Sequence, residues 1–455
     1  MGVEEEKTVS AGPDIAVFGH SPILDKGMVA VMVGREVVKR RRGHKTRLDL
    51  TRAQSTLLEE QASAAITVWN CLHAYWTHFP GRRPRLAQAD QAIRQARADF
   101  PFLAALPAQA AQAVLKTYRQ AWENFFNPDH PAGRPTFKSK KRARLAVDVP
   151  QVRNMRICRL SAGWGAATIP MIARIKFRWT KNLPGIGKNA PTGRITGARL
   201  VKEADGWHLV FRTETQVTAP APHPGPSVGI DRGVNVALAL SNGTTREHGP
   251  WLTSGERERL RRLENKSARQ RVTRPKKTRP SHRESHTCDQ IAGLRAKAKR
   301  RATDWQHRIT THLADTFGMI AVEDLKITNM LASAKGTIEA PGKNVAQKAG
   351  LNRAIAGQAW GRTVTLLEYK TRDRGGQVVR VPAAGTSQIC HRCGHRDPAA
   401  RAGTVFACIS PTCGWVGHAD INAAINIGNA AGPAVSGRGD LGTARSAKRQ
   451  PPRAA

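Results

Sequence analysis

Four cysteines fall within 24 residues: Cys390-x2-Cys393, a gap of 14 residues, then Cys408-x4-Cys413, with Gly394 and Gly414 just behind the two pairs. No other feature restricts the fold so tightly. Two thiolate pairs on tight knuckles can converge on one tetrahedral zinc ion, and a closed shell of four cysteines leaves no open position for substrate, so the site is structural. The competing readings are a redox pair or chance spacing. His391, His395 and His418 lie nearby as substitute ligands, although four cysteines already complete the shell. The other three cysteines, Cys71, Cys158 and Cys288, are scattered, which is metal-site usage and argues against a disulfide framework.

Charge is the second constraint. The 455 residues carry 73 Lys+Arg against 34 Asp+Glu, a net +39. A chain this basic repels itself, and the partner that compensates is a polyanion, usually nucleic acid. Charge alone does not separate an enzyme from a structural RNA binder. With 40% apolar and 24% charged residues the chain is globular, and its length suggests roughly three domains. The opening MGVEEEKTVS lacks a basic region followed by an apolar one, and no run of 18 apolar residues occurs. A secretory signal and a membrane span are therefore not expected, and the chain reads as intracellular.

Residues 1–28 read as a loose arm, and Val29 to Val38 as a short β-type stretch ending in the cluster Lys39-Arg40-Arg41-Arg42. From Thr51 to about Phe126 the spacing of Leu57, Gln61, Ala64, Ala65, Val68 and Leu72 is helical, and prolines divide the region into about four helices. Runs such as IARIKFRW and WHLVFRTET within 145–217 predict a small antiparallel barrel. The Pro-rich stretch 218–226 marks the clearest boundary. An α/β pattern follows, with two neighbouring strands in 228–241, a helical hairpin over 256–301, a strand at 319–324, helix at 351–374, a strand at 377–381 and a short terminal helix at 420–427. The last 25 or so residues read as a disordered tail.

Three carboxylates sit where a charge is expensive. Asp231 ends the apolar run Val228-Gly229-Ile230, Glu323 ends Met319 to Val322, and Asp420 opens the last helix. Each alone has an ordinary explanation, a helix cap for Asp420 or a structural ion pair at a strand end. Together, three acids from separate elements could hold one or two Mg2+ ions for phosphodiester hydrolysis. One small acidic pocket in a strongly basic chain is the electrostatic arrangement a nuclease needs.

These residues carry a resemblance. GIDRGVNVALALSNG, IAVEDLKITNM and TSQICHRCGH with CGWVGHADINAAIN resemble the three RuvC motifs and the zinc ribbon of the TnpB (OrfB) transposon-encoded proteins, motifs shared with the miniature type V CRISPR effector nucleases. FPFLAALPAQAAQAVLKTYRQAWENFF and GRPTFKSKK are similar to that family's helical recognition region and its junction with the wedge barrel, and LNRAIAGQAWGRTVTLLEYK to the helix preceding the ribbon. About residues 45–430 are covered. The chain departs from many relatives in having His418-Ala419 where they have a further acid, and in the four-residue spacing of its second cysteine pair.

The resemblance implies an α/β multidomain protein with an RNase H-like (RuvC) nuclease core, an inserted four-cysteine zinc ribbon, and a β-barrel (wedge) domain interrupted by an α-helical recognition domain. The implied boundaries are wedge 29–50 and 131–220, recognition domain 51–130, core 226–384 and 418–430, ribbon 385–417 and tail 431–455. It assigns catalysis and Mg2+ binding to Asp231, Glu323 and Asp420, and one structural Zn2+ to Cys390, Cys393, Cys408 and Cys413. The implied activity is Mg2+-dependent RNA-guided cleavage of DNA beside a short protein-read motif. Its partners would be guide RNA and target DNA, with no membrane, in a prokaryotic cytoplasm near the nucleoid, as a monomer or as a homodimer on one RNA. The rivals are a guided DNA-binding protein that does not cut, and an unguided nuclease of the same fold.

Softer readings complete the set. Lys138, Lys140, Lys141 and Arg142 form a basic run suited to phosphate contact or to a solvated loop. Residues 256–301, with 17 basic and 5 acidic residues and among them Arg261, Arg262, Lys276 and Lys277, are expected to track a nucleic-acid backbone. Trp76, Trp122 and Trp179 fit core packing better than base stacking. Residues 335–350 read as a candidate lid over the acidic pocket.

Overall fold

The structure, a computed structural model, describes residues 37–436 apart from 79–84, 140–142, 188–189, 276–277 and 338, and side chains as far as residue 432. The expected arm at 1–28, the tail beyond 436, and Lys140, Lys141, Arg142, Lys276 and Lys277 lie outside the described residues. Among those described, no helix is long and apolar enough to cross a membrane.

The first half is built on one long strand. β1 (Val37–Asp49) pairs antiparallel with β7 (Gly206–Thr218) from Val37 to Arg47, then with β5 (Ala173–Arg178) at Leu48 and Asp49. With β2 (Ala146–Val149), β3 (Cys158–Arg159), β4 (Trp164–Ile169) and β6 (Gly193–Glu203), the sheet runs β2-β6-β7-β1-β5-β4-β3. Its end strands do not pair with each other, so the expected barrel is an open antiparallel sheet whose two halves share β1. The basic cluster, expected to end a strand, lies inside one. Its charge is tolerated because Glu214 on β7 pairs with Arg41, and Asp373 pairs with Arg40 and Arg42. Four helices, α1 (Arg52–His78), α2 (Leu86–Asp99), α3 (Pro101–Ala104) and α4 (Ala108–Phe126), contribute Leu58, Trp69, Leu115 and Tyr118 to the core beneath this sheet.

The second half is a five-stranded sheet in the order β10-β9-β8-β11-β12. β8 (Ser227–Asp231), β11 (Met319–Glu323) and β12 (Gln377–Val381) are parallel, while β9 (Leu238–Leu240) and β10 (Thr245–Arg246) turn back antiparallel. Between β10 and β11 stands a helical hairpin of α5 (Ser254–Thr273) and α6 (His282–Thr316). Each begins on a hydroxyl cap three residues before a glutamate, Thr253 with Glu256 and Ser281 with Glu284. Leu313 on α6 and Phe317 just past its end enter the sheet core, with Trp305 and Ile309 packed against it.

After the short α7 (Ile327–Met330), helix begins at Val345 rather than Leu351. It forms α8 (Val345–Gln358) and α9 (Trp360–Arg372), separated at Ala359, whose φ is +50°. The sequence VAQKAGLNRA contains good helix formers, so the second part of the candidate lid is α8. A small sheet of β13 (Arg401–Ala402), β14 (Val405–Ala407) and β15 (Val416–His418) precedes α10. This helix spans Ala419–Ser436, longer than the expected 420–427, because the alanine-rich continuation keeps packing as Ile427 and Ala431 join the core with Val381.

α10 crosses the sheet at extreme proximity. A Cβ placed on Gly229 of β8 would meet the Ala424 carbonyl at 2.1 Å and the Gly428 nitrogen at 2.4 Å. Only glycine fits between strand and helix there. Gly229→Ala should therefore destabilise the chain by roughly 3 kcal/mol in denaturant unfolding. Gly293→Ala in α6, where an added Cβ meets nothing within 4 Å, should instead raise stability by about 0.5–1 kcal/mol.

Candidate active site

Parallel pairing brings two acids side by side. The register Val322↔Ile230 places Glu323 next to Asp231 at the carboxyl ends of β11 and β8, the edge at which open α/β sheets bind ligands. α10, seated on Gly229, brings Asp420 in its first turn to the same region. Burial first, and then the charges of Glu323 and Asp420, push the Asp231 carboxyl up to about 7. Negative charge is thus concentrated at this corner beyond what the local cations answer.

Three neighbours bond at this corner. Thr386 Oγ1 donates to Glu323 Oε1 at 2.5 Å. Arg401 Nη2 donates to Asp420 Oδ1 at 2.7 Å. Arg232, 5% exposed, donates to the Glu323 carbonyl, while its Nε has no partner. The three carboxylates share this corner but are less tightly clustered than the four thiols. They keep the residual negative charge that suits a divalent cation, with one oxygen each of Glu323 and Asp420 already hydrogen-bonded.

The four cysteines do converge. Cys390 and Cys413 Sγ lie 3.8 Å apart, and Cys393 and Cys408 Sγ 3.6 Å. Disulfide bonds would need about 2.04 Å, whereas a tetrahedral ion with Zn–S of about 2.3 Å sets sulfurs about 3.8 Å apart. The set fits zinc. A hydrogen bond from the His395 backbone helps hold the Cys393 thiol down to about 7, while burial and hydrogen bonds to the neighbouring thiols push Cys408 and Cys413 up, so the crowded thiols lose their protons one after another. The first knuckle is fastened to α10. Asn422 Oδ1 accepts from the His391 N–H at 2.9 Å, and Asn422 and Asn426 both donate to the Ile389 carbonyl. His391 packs edge-on against Trp415 and does not join the cysteine cluster.

The other predicted residues are dispersed. Lys138 turns inward, its Nζ 3.3 Å from the Trp69 ring centre, and burial lowers its ammonium to about 8. Arg261 and Arg262 lie on the outer face of α5 and share Glu258. Trp179 is buried against Phe177, Trp76 packs on Tyr118, and Trp122 stacks on Phe126. Among the described residues a second cluster of possible ligands, Glu203, Asp205 and His208, is tied up in ion pairs with Lys45 and Arg300. Sequence reasoning missed Arg401, Arg232 and Thr386. Arg401 is an arginine among many, and only its cross-strand position opposite Phe406 near α10 distinguishes it.

Two family models match the chain: "Probable transposase" over residues 210–334 and "Cas12f1-like, TNB domain" over 360–427. "Putative RNA-guided DNA endonuclease InsQ" of Escherichia coli (strain K12) is 34% identical over 344 residues, covering 74% of this chain and 77% of that protein. The chain belongs to the TnpB (OrfB) family. A further TnpB-type relative, "Putative RNA-guided DNA endonuclease" of Streptomyces pristinaespiralis, is 27% identical over 366 residues, 79% of this chain and 80% of its own. Similarity to the solved "Cryo-EM structure of the Cas12f1-sgRNA-target DNA complex" is 14% in sequence with a TM-score of 0.45, over 83% of each chain.

The raised Asp231 carboxyl has a measurable consequence. Between about pH 4 and pH 7 the folded state holds a proton that the unfolded state has lost, so this group's contribution to stability falls as pH rises through that window. Without added Mg2+, Asp231→Asn should melt several degrees above the parent chain at pH 8 and alike at pH 4. Differential scanning calorimetry at the two pH values checks this.

Proposed function

We propose that the chain is an RNA-guided DNA endonuclease with an RNase H-like, RuvC-type core. In this reading Asp231, Glu323 and Asp420 hold one or two Mg2+ ions. The observation that carries it is the unbalanced acidic corner in a chain of net +39. The names of the two relatives support guidance by RNA and DNA as the substrate. Bound Mg2+ would supply an activated water and stabilise the leaving oxygen. Thr386 and Arg401 keep the Glu323 and Asp420 carboxylates oriented, and the zinc-held ribbon delivers Arg401 and the start of α10. Asp231, rigid at its strand end, supplies the third ligand.

Further assignments belong to the same proposal. Residues 29–50 and 131–220 serve as the wedge, 51–130 as the recognition domain, 226–384 and 418–430 as the core, and 385–417 as the ribbon. Guide RNA and target DNA lie along the basic surfaces, including two clefts of about 1070 and about 950 Å³ on either side of α6. The first is lined by Arg144, Lys202, Arg271 and Arg295, the second by Lys181, Arg300, Arg308 and Arg374. Base pairing would select the sequence, and the protein would read the duplex shape and a short adjoining motif.

The full chain copurified with its RNA, given a matched plasmid and Mg2+, should cut it. Asp231→Ala, Glu323→Ala and Asp420→Ala should each slow cutting by roughly a thousandfold or more with binding retained. Binding should weaken steeply with salt. A matched plasmid bound but left intact would make the chain a guided binding protein, and cutting without RNA would make it an unguided nuclease. Cys390→Ser should lower zinc content and cutting together, because the ribbon and α10 share Asn422.

A further inference from the structure

The loop that follows Asp231, residues 232–237, joins two strands without closing any main-chain hydrogen bond within itself. One of its carbonyls is held from outside. Gln358 Nε2, at the end of α8, donates to the Val234 oxygen at 2.9 Å. That bond fixes the amide, since a flipped Gln358 would set oxygen against oxygen. The fixed Oε1 then faces His248 Nε2 at 2.8 Å, so Nε2 must donate. On the opposite side of the ring, Nδ1 lies 3.0 Å from the Gly249 carbonyl. Trp251 stacks on the imidazole with ring centres 3.8 Å apart, and Trp305 meets it edge-on at 5.1 Å. Arg301 of α6 donates to the Trp251 carbonyl and shares Glu256 of α5 with Lys297, which ties Trp251 to the helical hairpin.

We propose that His248 is a positioning residue: by donating from Nε2 it fixes the Gln358 amide, and through that amide the Val234 carbonyl and the loop that carries on from Asp231. Its target is the divalent-cation site, so the inference rests on the reading of Asp231, Glu323 and Asp420 given above. His248 touches none of the three acids and acts only through Gln358. The relay also ties the placement of Asp231 to α8, because Gln358 is the last residue of that helix before the left-handed Ala359.

The test uses the full zinc-loaded chain with its copurified RNA and Mn2+ as probe. Bound Mn2+ is read by electron paramagnetic resonance, and the component abolished by Asp231→Asn counts as the site. His248→Phe keeps the stacked ring but donates nothing, and should weaken that component about tenfold. His248→Arg, which keeps donors facing Gln358, should restore most of it. Gln358→Glu still accepts from His248 but offers the Val234 carbonyl no donor, so it should lose as much as His248→Phe. The double variant should be no worse than either single one. The Mg2+ needed for half-maximal cutting should rise in parallel, with plasmid binding and zinc content unchanged. Parent-like Mn2+ affinity in His248→Phe or in Gln358→Glu, or additive losses in the double variant, overturns the proposal. Should His248→Phe fold poorly, Gln358→Glu and His248→Arg still decide it. If the parent chain shows no component sensitive to Asp231→Asn, the reading of the acids as a metal site falls instead.

Discussion

A strand and a helix approach so closely at Gly229 that a single carbon would collide with two backbone atoms of α10. The acidic corner depends on that contact. β8 delivers Asp231, the parallel register of β11 delivers Glu323, and the helix pressed onto β8 delivers Asp420. The juxtaposition of the three carboxylates needs the absent side chain. Interiors pack at crystal-like density, so no relaxation elsewhere would substitute for it.

The same contact explains how a basic protein sustains buried acidity. Arg401, Arg232 and Arg380 stand close to the site, yet each is directed to a particular acceptor: Arg401 to Asp420, Arg232 to the Glu323 carbonyl, Arg380 to Asp324 and Glu368. None pairs directly with Asp231, whose carboxyl is raised by burial and by its two acidic neighbours. Ion pairing elsewhere follows the opposite rule. The long basic run of β1 is matched by Glu214 and Asp373, and the β6–β7 turn by Lys45 and Arg300.

Much of this was legible in the sequence, for identifiable reasons. The cysteine spacing predicted a cluster because thiolates have few other reasons to recur in that pattern. The stripe Trp305, Ile309, Leu313 and Phe317 predicted how α6 meets its sheet, because helical periodicity survives any tertiary context. The basic run at Lys39 to Arg42 misled, since the carboxylates that let it lie in a strand are 170 and more residues away. The length of α10 was underestimated because Gly428 and Gly432 look like a stop signal, while the packing of Ile427 and Ala431 outweighs it. Lys138 looked solvent-directed because nothing local announces that Trp69 lies beneath it. Arg401 and Gln358 were invisible because their partners come together only in three dimensions.

The order of elements carries one more consequence. The ribbon stands between β12 and α10, so Asp420 follows the last zinc cysteine by seven residues and follows Asp231 and Glu323 by far more. A chain emerging from the ribosome has two of the three acids long before the third, and the helix that carries the third is then fastened to the first knuckle through Asn422. An unfinished polypeptide therefore lacks the complete acidic corner throughout its synthesis. Placing the last acid behind the four-cysteine module makes the corner late to assemble, after both parallel strands that carry the other acids.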